Sequence, residues 1–253
     1  MVEKRPLNPM ASREDFLGRI RKALGRSREG SLELRQPKHL FPPIGPVLPP
    51  IPTDRVVEKF EDELQKVAGC AYRAATTAEL DAILQKILRD RAAKAAILSR
   101  NLLMGQLRLA EKFDEWGISA HSWPEAGSGQ TDLESTAFRT AVFAAEMGIT
   151  GVDFVLAESG SLVLTSLTEG SQLASLAPPV HIALYRRSQA LATLEEVLER
   201  LPVPLDPESA SPGRSVVFVT GPSRTADIEQ ILIRGVHGPK EVHAILVEDS
   251  CLT

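Results

Sequence analysis

Cysteine is scarce in this chain. Two occur in 253 residues, Cys70 and Cys251, and they form no Cys-x-x-Cys pair. A disulfide framework is thereby excluded, and so is a four-cysteine zinc or iron–sulfur centre held by this chain alone. Long apolar runs are also missing: no stretch approaches the roughly 18 residues that a membrane helix requires. The opening Met1-Val2-Glu3-Lys4-Arg5-Pro6 lacks the apolar core of a secretory leader, so the expected compartment is the cytoplasm. Neither charge is in large excess, since 29 Lys and Arg stand against 33 Asp and Glu, a formal net charge of −4. That balance argues against nucleic-acid binding driven by bulk charge. No P-loop, G-x-G-x-x-G or ordered Ser–His–Asp set stands out.

What is present is unevenly placed. Residues 1–36 hold nine basic and five acidic side chains, which leaves +4 on this arm and −8 on the remainder. Seven of the 18 prolines fall between Pro37 and Pro52. The chain therefore divides into a basic arm (1–36), a proline-rich tether (37–52) and an acidic body (53–253). In the arm, Ser12, Asp15 and the spacing of Phe16, Leu17, Ile20 and Leu24 predict one amphipathic helix. The tether cannot form a regular helix or central strand, because its prolines lack the backbone N–H. Its apolar residues, Leu40, Phe41 and Ile44 among them, predict an ordered, extended path over a surface.

The body alternates between helical and β-like patterns. Helices are expected after a Thr53-Asp54 cap, after Thr77, over Leu102–Phe113, over Leu133–Met147 and over Leu194–Leu201. Strands are expected at Cys70–Ala74, Ala95–Leu98, Ile118–Ser122, Val180–Tyr185, Val216–Thr220 and Val242–Val247. Val152–Ala157 and Ser161–Thr165, separated by Glu158-Ser159-Gly160, predict an antiparallel hairpin. The fold class is α/β, a mostly parallel sheet flanked by helices, with that hairpin attached.

Three places combine residues suited to chemistry. Val216–Thr220 delivers the chain to Gly221-Pro222-Ser223-Arg224-Thr225, with Ala226-Asp227-Ile228-Glu229 reading as a first helical turn. Free N–H groups at a helix start, two hydroxyls and a guanidinium suit an anion. Ser223 and Thr225 equally suit helix capping, and Asp227 can hold Arg224 in a local ion pair. The hairpin turn sets Glu158 between two apolar strands, where a carboxylate must be solvated, hydrogen-bonded or functionally perturbed. Ser159 and Gly160 fit a tight turn without further purpose. Asp153 needs a partner too, for which the Gly148–Gly151 loop is a candidate. Gly235-Val236-His237-Gly238-Pro239 places a histidine, a residue type suited to acid, base or anion-donor roles, inside a turn. The spacing of Glu241, His237 and His243 fits no standard zinc pattern, so no metal is expected. His181, inside an apolar strand, reads as a structural histidine.

Taken together, these stretches resemble a known family. Gly148 to Leu162 (GITGVDFVLAESGSL), Ala177 to Leu184 (APPVHIAL), Gly221 to Glu229 (GPSRTADIE) and Gly235 to Pro239 (GVHGP) are similar, in that order, to the signature of the lactate utilisation protein C family. The resemblance implies a LUD domain, with a fold similar to the superfamily of ribose-5-phosphate isomerase, glucosamine-6-phosphate deaminase and the CoA transferases. It also implies a part in oxidising L-lactate to pyruvate beside partner proteins that carry iron–sulfur clusters. No cofactor is expected in this chain itself. The leading expectation is thus a non-redox subunit with an anion-binding pocket. In it Ser223, Arg224, Thr225 and Asp227, with Ser159 and Gly160, hold a small anionic ligand, and Glu158 and His237 face it. Two alternatives stand beside it. Glu158-Ser159-Gly160 resembles the Glu-x-Gly turn of CoA transferases, which implies a stand-alone transferase-like or ligase-like enzyme with Glu158 as nucleophile. The basic arm and apolar tether suit a non-catalytic assembly or sensing module.

Overall fold

The computed structural model describes residues 13–23, 49–123, 132–201, 215–225 and 233–252, with residues 132–135 described in their backbone alone. The chain divides between Pro49 and Pro50 into two units. In the first, helix α1 (Arg13–Ala23) covers most of the expected arm helix, with Glu14 and Asp15 in its first turn and Arg21 and Lys22 in its last. That placement complements the helix dipole at both ends. The expected Ser12 cap, Leu24 and the tether up to residue 48 lie outside the described residues.

The second unit begins with α2 (Val56–Lys66), entered through a 3-10 turn at Thr53–Arg55 rather than a side-chain cap. Strand β1 (Cys70–Ala74) follows, then α3 (Thr77–Asp90), whose cap is Thr76, one residue earlier than expected, its hydroxyl accepting from Glu79 N. After β2 (Ala95–Leu98) the weakly periodic segment forms two short helices, α4 (Leu102–Gln106) and α5 (Leu109–Glu115). They are broken at Arg108, which adopts a left-handed φ of 51°. Strand β3 (Ser119–Ser122) precedes α6 (Asp132–Ala144). The expected continuation of that helix to Met147 is corrected: Met147–Thr150 is a fully buried strand, β4. Gly148 explains the difference. A Cβ there would lie 1.7 Å from the Ala174 carbonyl oxygen, so only glycine lets this strand pass beneath the next helix pair.

Strands β5 (Phe154–Leu156) and β6 (Ser161–Thr165) form the expected antiparallel hairpin. Two single-turn helices, α7 (Ser166–Glu169) and α8 (Leu173–Leu176), lead to β7 (Val180–Tyr185). Then come β8 (Ala190–Leu191), α9 (Leu194–Arg200), β9 (Val216–Val219), a small hairpin of β10 (Arg224–Thr225) with β11 (Ile233–Arg234), and β12 (Glu241–Val247).

The main sheet has six strands in the order β1-β12-β7-β4-β2-β3, and every neighbouring pair is parallel. A second sheet, β8-β5-β6-β9, carries the hairpin and is antiparallel across β5, β6 and β9. The inner strands β2, β4, β7 and β12 are buried and largely apolar on both faces, as strands covered on both sides must be, whereas the edge strands β1 and β3 are partly exposed. Ile182, Leu184, Ile245 and Val247 pack with Leu80, Leu84 and Phe113 on one side. The alternate residues Ala183, Tyr185, Ala244 and Leu246 pack with Phe60, Leu64, Leu162 and Leu164 on the other. Each of the leucine, isoleucine, valine and phenylalanine side chains among these contributes about 2 kcal/mol of transfer free energy, and each alanine about 0.8 kcal/mol. Among the described residues no helix is long and apolar enough to cross a membrane.

Candidate functional site

The strand order sets where a ligand can enter. Strand β2 has β3 on one side and β4 on the other, and the chain proceeds from β4 through β7 toward β12. Connections leaving the C-terminal ends of β2 and β4 therefore diverge and open a crevice between them. Open α/β sheets hold ligands at such a reversal.

Four loops meet there: 99–101 after β2, 151–153 after β4, 186–189 after β7, and α7 at the end of β6. Glu169 joins them. Its carboxylate accepts from Asn101 Nδ2 at 2.5 Å and from Gly151 N at 3.1 Å. Its own carbonyl accepts from Arg100 N. The side chain is completely buried. Burial pushes the Glu169 carboxyl above its usual range, against the donors from Ser99 and Asn101 that favour the anion. Asn101 uses its Oδ1 to cap α4 through Leu103 N. Asp153, whose expected partner was the Gly148–Gly151 loop, instead accepts from Thr165 N at 2.6 Å and Thr168 Oγ1 at 3.0 Å. It pins β5 to the start of α7. Gln189 closes the set, accepting from Arg186 N and donating to the Val152 carbonyl. On the far side, Arg187 pairs with Glu248 after β12 at 2.6 Å.

The described residues of the expected anion site lie at the opposite edge. Strand β5 starts at the C-terminal edge of the main sheet and runs back, so the β5–β6 turn sits at the N-terminal edge, against the end of α2. Gly160 has a φ of 66°, and a Cβ there would fall 2.3 Å from Leu64 N, which gives this glycine a packing reason. Glu158 Oε1 accepts from Leu194 N and so caps α9. Ser159, Ser161 and Thr220 form a chain of hydroxyls at 2.8 and 2.7 Å that ties the turn to the end of β9.

Strand β9 belongs to the second sheet. The rule that places ligands at the ends of parallel strands therefore does not apply to the Gly221–Thr225 loop. Arg224 and Thr225 form β10, and Arg224 Nη2 donates to the Val67 carbonyl, while the helical turn expected at 226–229 lies outside the described residues. Ser223 is bracketed by the second glycine turn: its N–H donates to the Pro239 carbonyl and its carbonyl accepts from Gly235 N. The structure thus brings Ser223–Thr225 beside the loop that carries His237, an exposed residue. Among the described residues no hydrogen bond or ion pair joins Glu158, Arg224 and His237. Asp227 lies outside the described residues.

His181 is buried and bonded through Nε2 to Thr150 Oγ1 at 2.8 Å, while its Nδ1 has no partner among the described residues. Burial, with His243 nearby, depresses its pKa to about 3. No group of His, Cys, Asp and Glu suited to a metal ion occurs among the described residues. Asn101, Glu169, Arg186 and Gln189 were not singled out from sequence. One signal was available: Arg186 is the first residue after the apolar run Val180–Tyr185, and Asn101 is the third after Ala95–Leu98.

A six-stranded parallel sheet with a crevice at its reversal and a second, hairpin-bearing sheet defines an open α/β protein of the ligand-binding kind. The LUD domain family model matches residues 57–247, and the chain belongs to that family. Along nearly its whole length it is similar to proteins named Lactate utilization protein C. It is 32% identical to the one from Exiguobacterium sp. over 250 residues, covering 96% of this chain and 100% of the relative. It is 26% identical to the one from Bacillus subtilis over 245 residues, covering 94% and 97%. The crystal structure of a DUF162 family protein from Deinococcus radiodurans shares the fold, with a TM-score of 0.53 at 19% identity, covering 78% of this chain and 99% of that one.

Proposed function

We propose that this protein acts in lactate utilisation, as a non-redox subunit of a system that oxidises L-lactate to pyruvate. The observation that carries the reading is the near end-to-end match to relatives that bear the name Lactate utilization protein C. Oxidation of lactate releases two electrons and two protons, and the electrons pass to iron–sulfur clusters on partner proteins. The cysteines support that division of labour. Cys70 opens β1, whereas Cys251 donates to the carbonyl of Ala74, which closes it. A strand of that length separates its ends by roughly 13 Å, too far for two thiolates to ligate one iron–sulfur cluster.

The ligand of this subunit is a small anion held at the C-terminal edge of the parallel sheet, with Glu169 fixing Asn101 and the Gly151 backbone in place. A nucleophilic role for Glu158 finds less support, because its carboxylate is engaged at the start of α9. The test is reconstitution of lactate oxidation from the partner proteins with and without this chain. A fall of at least about tenfold on omission, some 1.4 kcal/mol in barrier terms, is expected. An unchanged rate would overturn the reading.

A further inference from the structure

At the C-terminal edge, between the loops after β2 and β7, lies a cleft of about 270 Å3. Asn101, Leu102 and Gln106 line it from one side, and Arg186, Ser188 and Gln189 from the other. Among the described residues that line it, Arg186 alone is charged. Its Nη2 donates to Gln106 Oε1, a neutral acceptor, and no described carboxylate forms an ion pair with it. The next residue shows the contrast: Arg187 is tied to Glu248. Gln189 holds the Arg186 backbone N–H, so the base of the side chain is fixed. A half-buried arginine with one neutral side-chain partner keeps its charge and most of its donors available, in the planar fork that fits a carboxylate.

We infer that this cleft binds a small monocarboxylate carrying a 2-hydroxyl or 2-oxo oxygen, with the carboxylate on Arg186, the 2-oxygen on Ser188 and the alkyl end on Leu102. Each assignment has a reason. A single cation compensates a single negative charge, whereas a diphosphate or triphosphate would leave charge uncompensated. The volume of about 270 Å3 lies at the small end of the ~300–1,000 Å3 typical of pockets for drug-sized ligands, which suits a small acid. Leu102, 80% exposed, places an apolar side chain at the cleft that an alkyl end can meet. The Ser188 hydroxyl both donates and accepts, so it can meet either a hydroxyl or a keto oxygen.

The choice of acid rests on the lactate-utilisation reading, whereas the site rests on the cleft. The experiment is calorimetric titration of the full chain with pyruvate, L-lactate, propionate, inorganic phosphate and acetyl-CoA. Pyruvate and L-lactate are expected to bind saturably at one site, and propionate about tenfold more weakly for want of the 2-oxygen. Arg186→Gln should weaken pyruvate binding by about tenfold or more, with Arg186→Lys recovering part of the loss. Leu102→Trp, at an exposed position, should also weaken binding while leaving the unfolding transition unchanged, which separates occlusion from misfolding. No saturable binding, equal binding of propionate, preference for phosphate or acetyl-CoA, or an isotherm indifferent to Arg186→Gln would each overturn the assignment. The two readings fail separately. Lactate oxidation that is indifferent to this chain removes the functional role and leaves the isotherm standing. A flat isotherm removes the cleft, whatever the oxidation assay reports.

Discussion

The two edges of the parallel sheet use similar residues to different ends. Each offers serines or threonines, a carboxylate and an arginine on loops between strands. At the N-terminal edge these groups are spent on the fold: Glu158 caps α9, Arg224 holds the Val67 carbonyl, and Ser159, Ser161 and Thr220 bond one another. At the C-terminal edge the carboxylates are spent in the same way, Glu169 on Asn101 and Gly151, and Asp153 on Thr165 and Thr168. Neither arginine pairs with a described carboxylate, but Arg224 is exposed at the N-terminal edge, whereas Arg186, bonded to Gln106, is half-buried in the cleft. Residue type alone does not mark a site. What marks it is which charged group the surrounding loops leave uncompensated, at the place where the strand order opens a crevice.

The comparison can be broken most forcibly at its glycines. Gly160→Ala would drive a Cβ into the α2 backbone at a left-handed φ, and Gly148→Ala would place one against the Ala174 carbonyl. Each is expected to cost at least about 3 kcal/mol, read as a lower denaturant midpoint. Were Gly160 reserved for a ligand, alanine would cost binding and spare stability.

Glu169 comes next. Glu169→Ala strips the acceptor from two buried donors and should cost about 3 kcal/mol, a fall of about 6–12 °C in Tm. Its pH dependence has a definite sign. Burial raises the folded-state pKa above the ordinary 4.5, so the protonated form contributes stability that is fully present below that value and is lost as pH rises through the folded pKa. Glu169→Gln, which stays neutral, should therefore gain on the parent as pH rises above 4.5 in urea titrations.

His181 shows the opposite sign. Its pKa falls from 6.5 to about 3 in the folded state, so its contribution is present above pH 6.5 and is lost as pH falls toward about 3. His181→Gln should flatten the decline in stability over that window. The smallest effect belongs to Glu158→Gln, which weakens the cap on α9. A loss of about 0.5–1 kcal/mol is expected, with no change in pyruvate binding.

Much of the fold was legible in the sequence because buried parallel strands read as short apolar runs between amphipathic helices. Cys70–Ala74, Ala95–Leu98 and Val180–Tyr185 lie where the pattern puts them. Strand β4 was hidden, since Met147-Gly148-Ile149-Thr150 follows a helix without a break and contains a glycine whose purpose is the close approach of Ala174. The sheet to which a strand belongs was hidden as well. Local patterning found the β5–β6 hairpin and β9, but pairing is a long-range property, and it moved both into the second sheet. That displacement carried Glu158 and Ser223–Thr225 to the edge away from the crevice. Glu169 and Arg186 escaped notice for a related reason: neither sits in a motif, and each gains its meaning from loops distant in the chain.

The most direct test of the account sets one arginine from each edge against the other. Lactate oxidation would be measured in the reconstituted system with Arg186→Gln and with Arg224→Gln, after thermal unfolding has established that both variants fold. If the C-terminal edge is the working end, Arg186→Gln lowers the rate by at least about tenfold and Arg224→Gln holds within about twofold, the difference between losing a charged ligand contact and losing one bond to a carbonyl. The reverse order would contradict the account and return the ligand to the N-terminal edge.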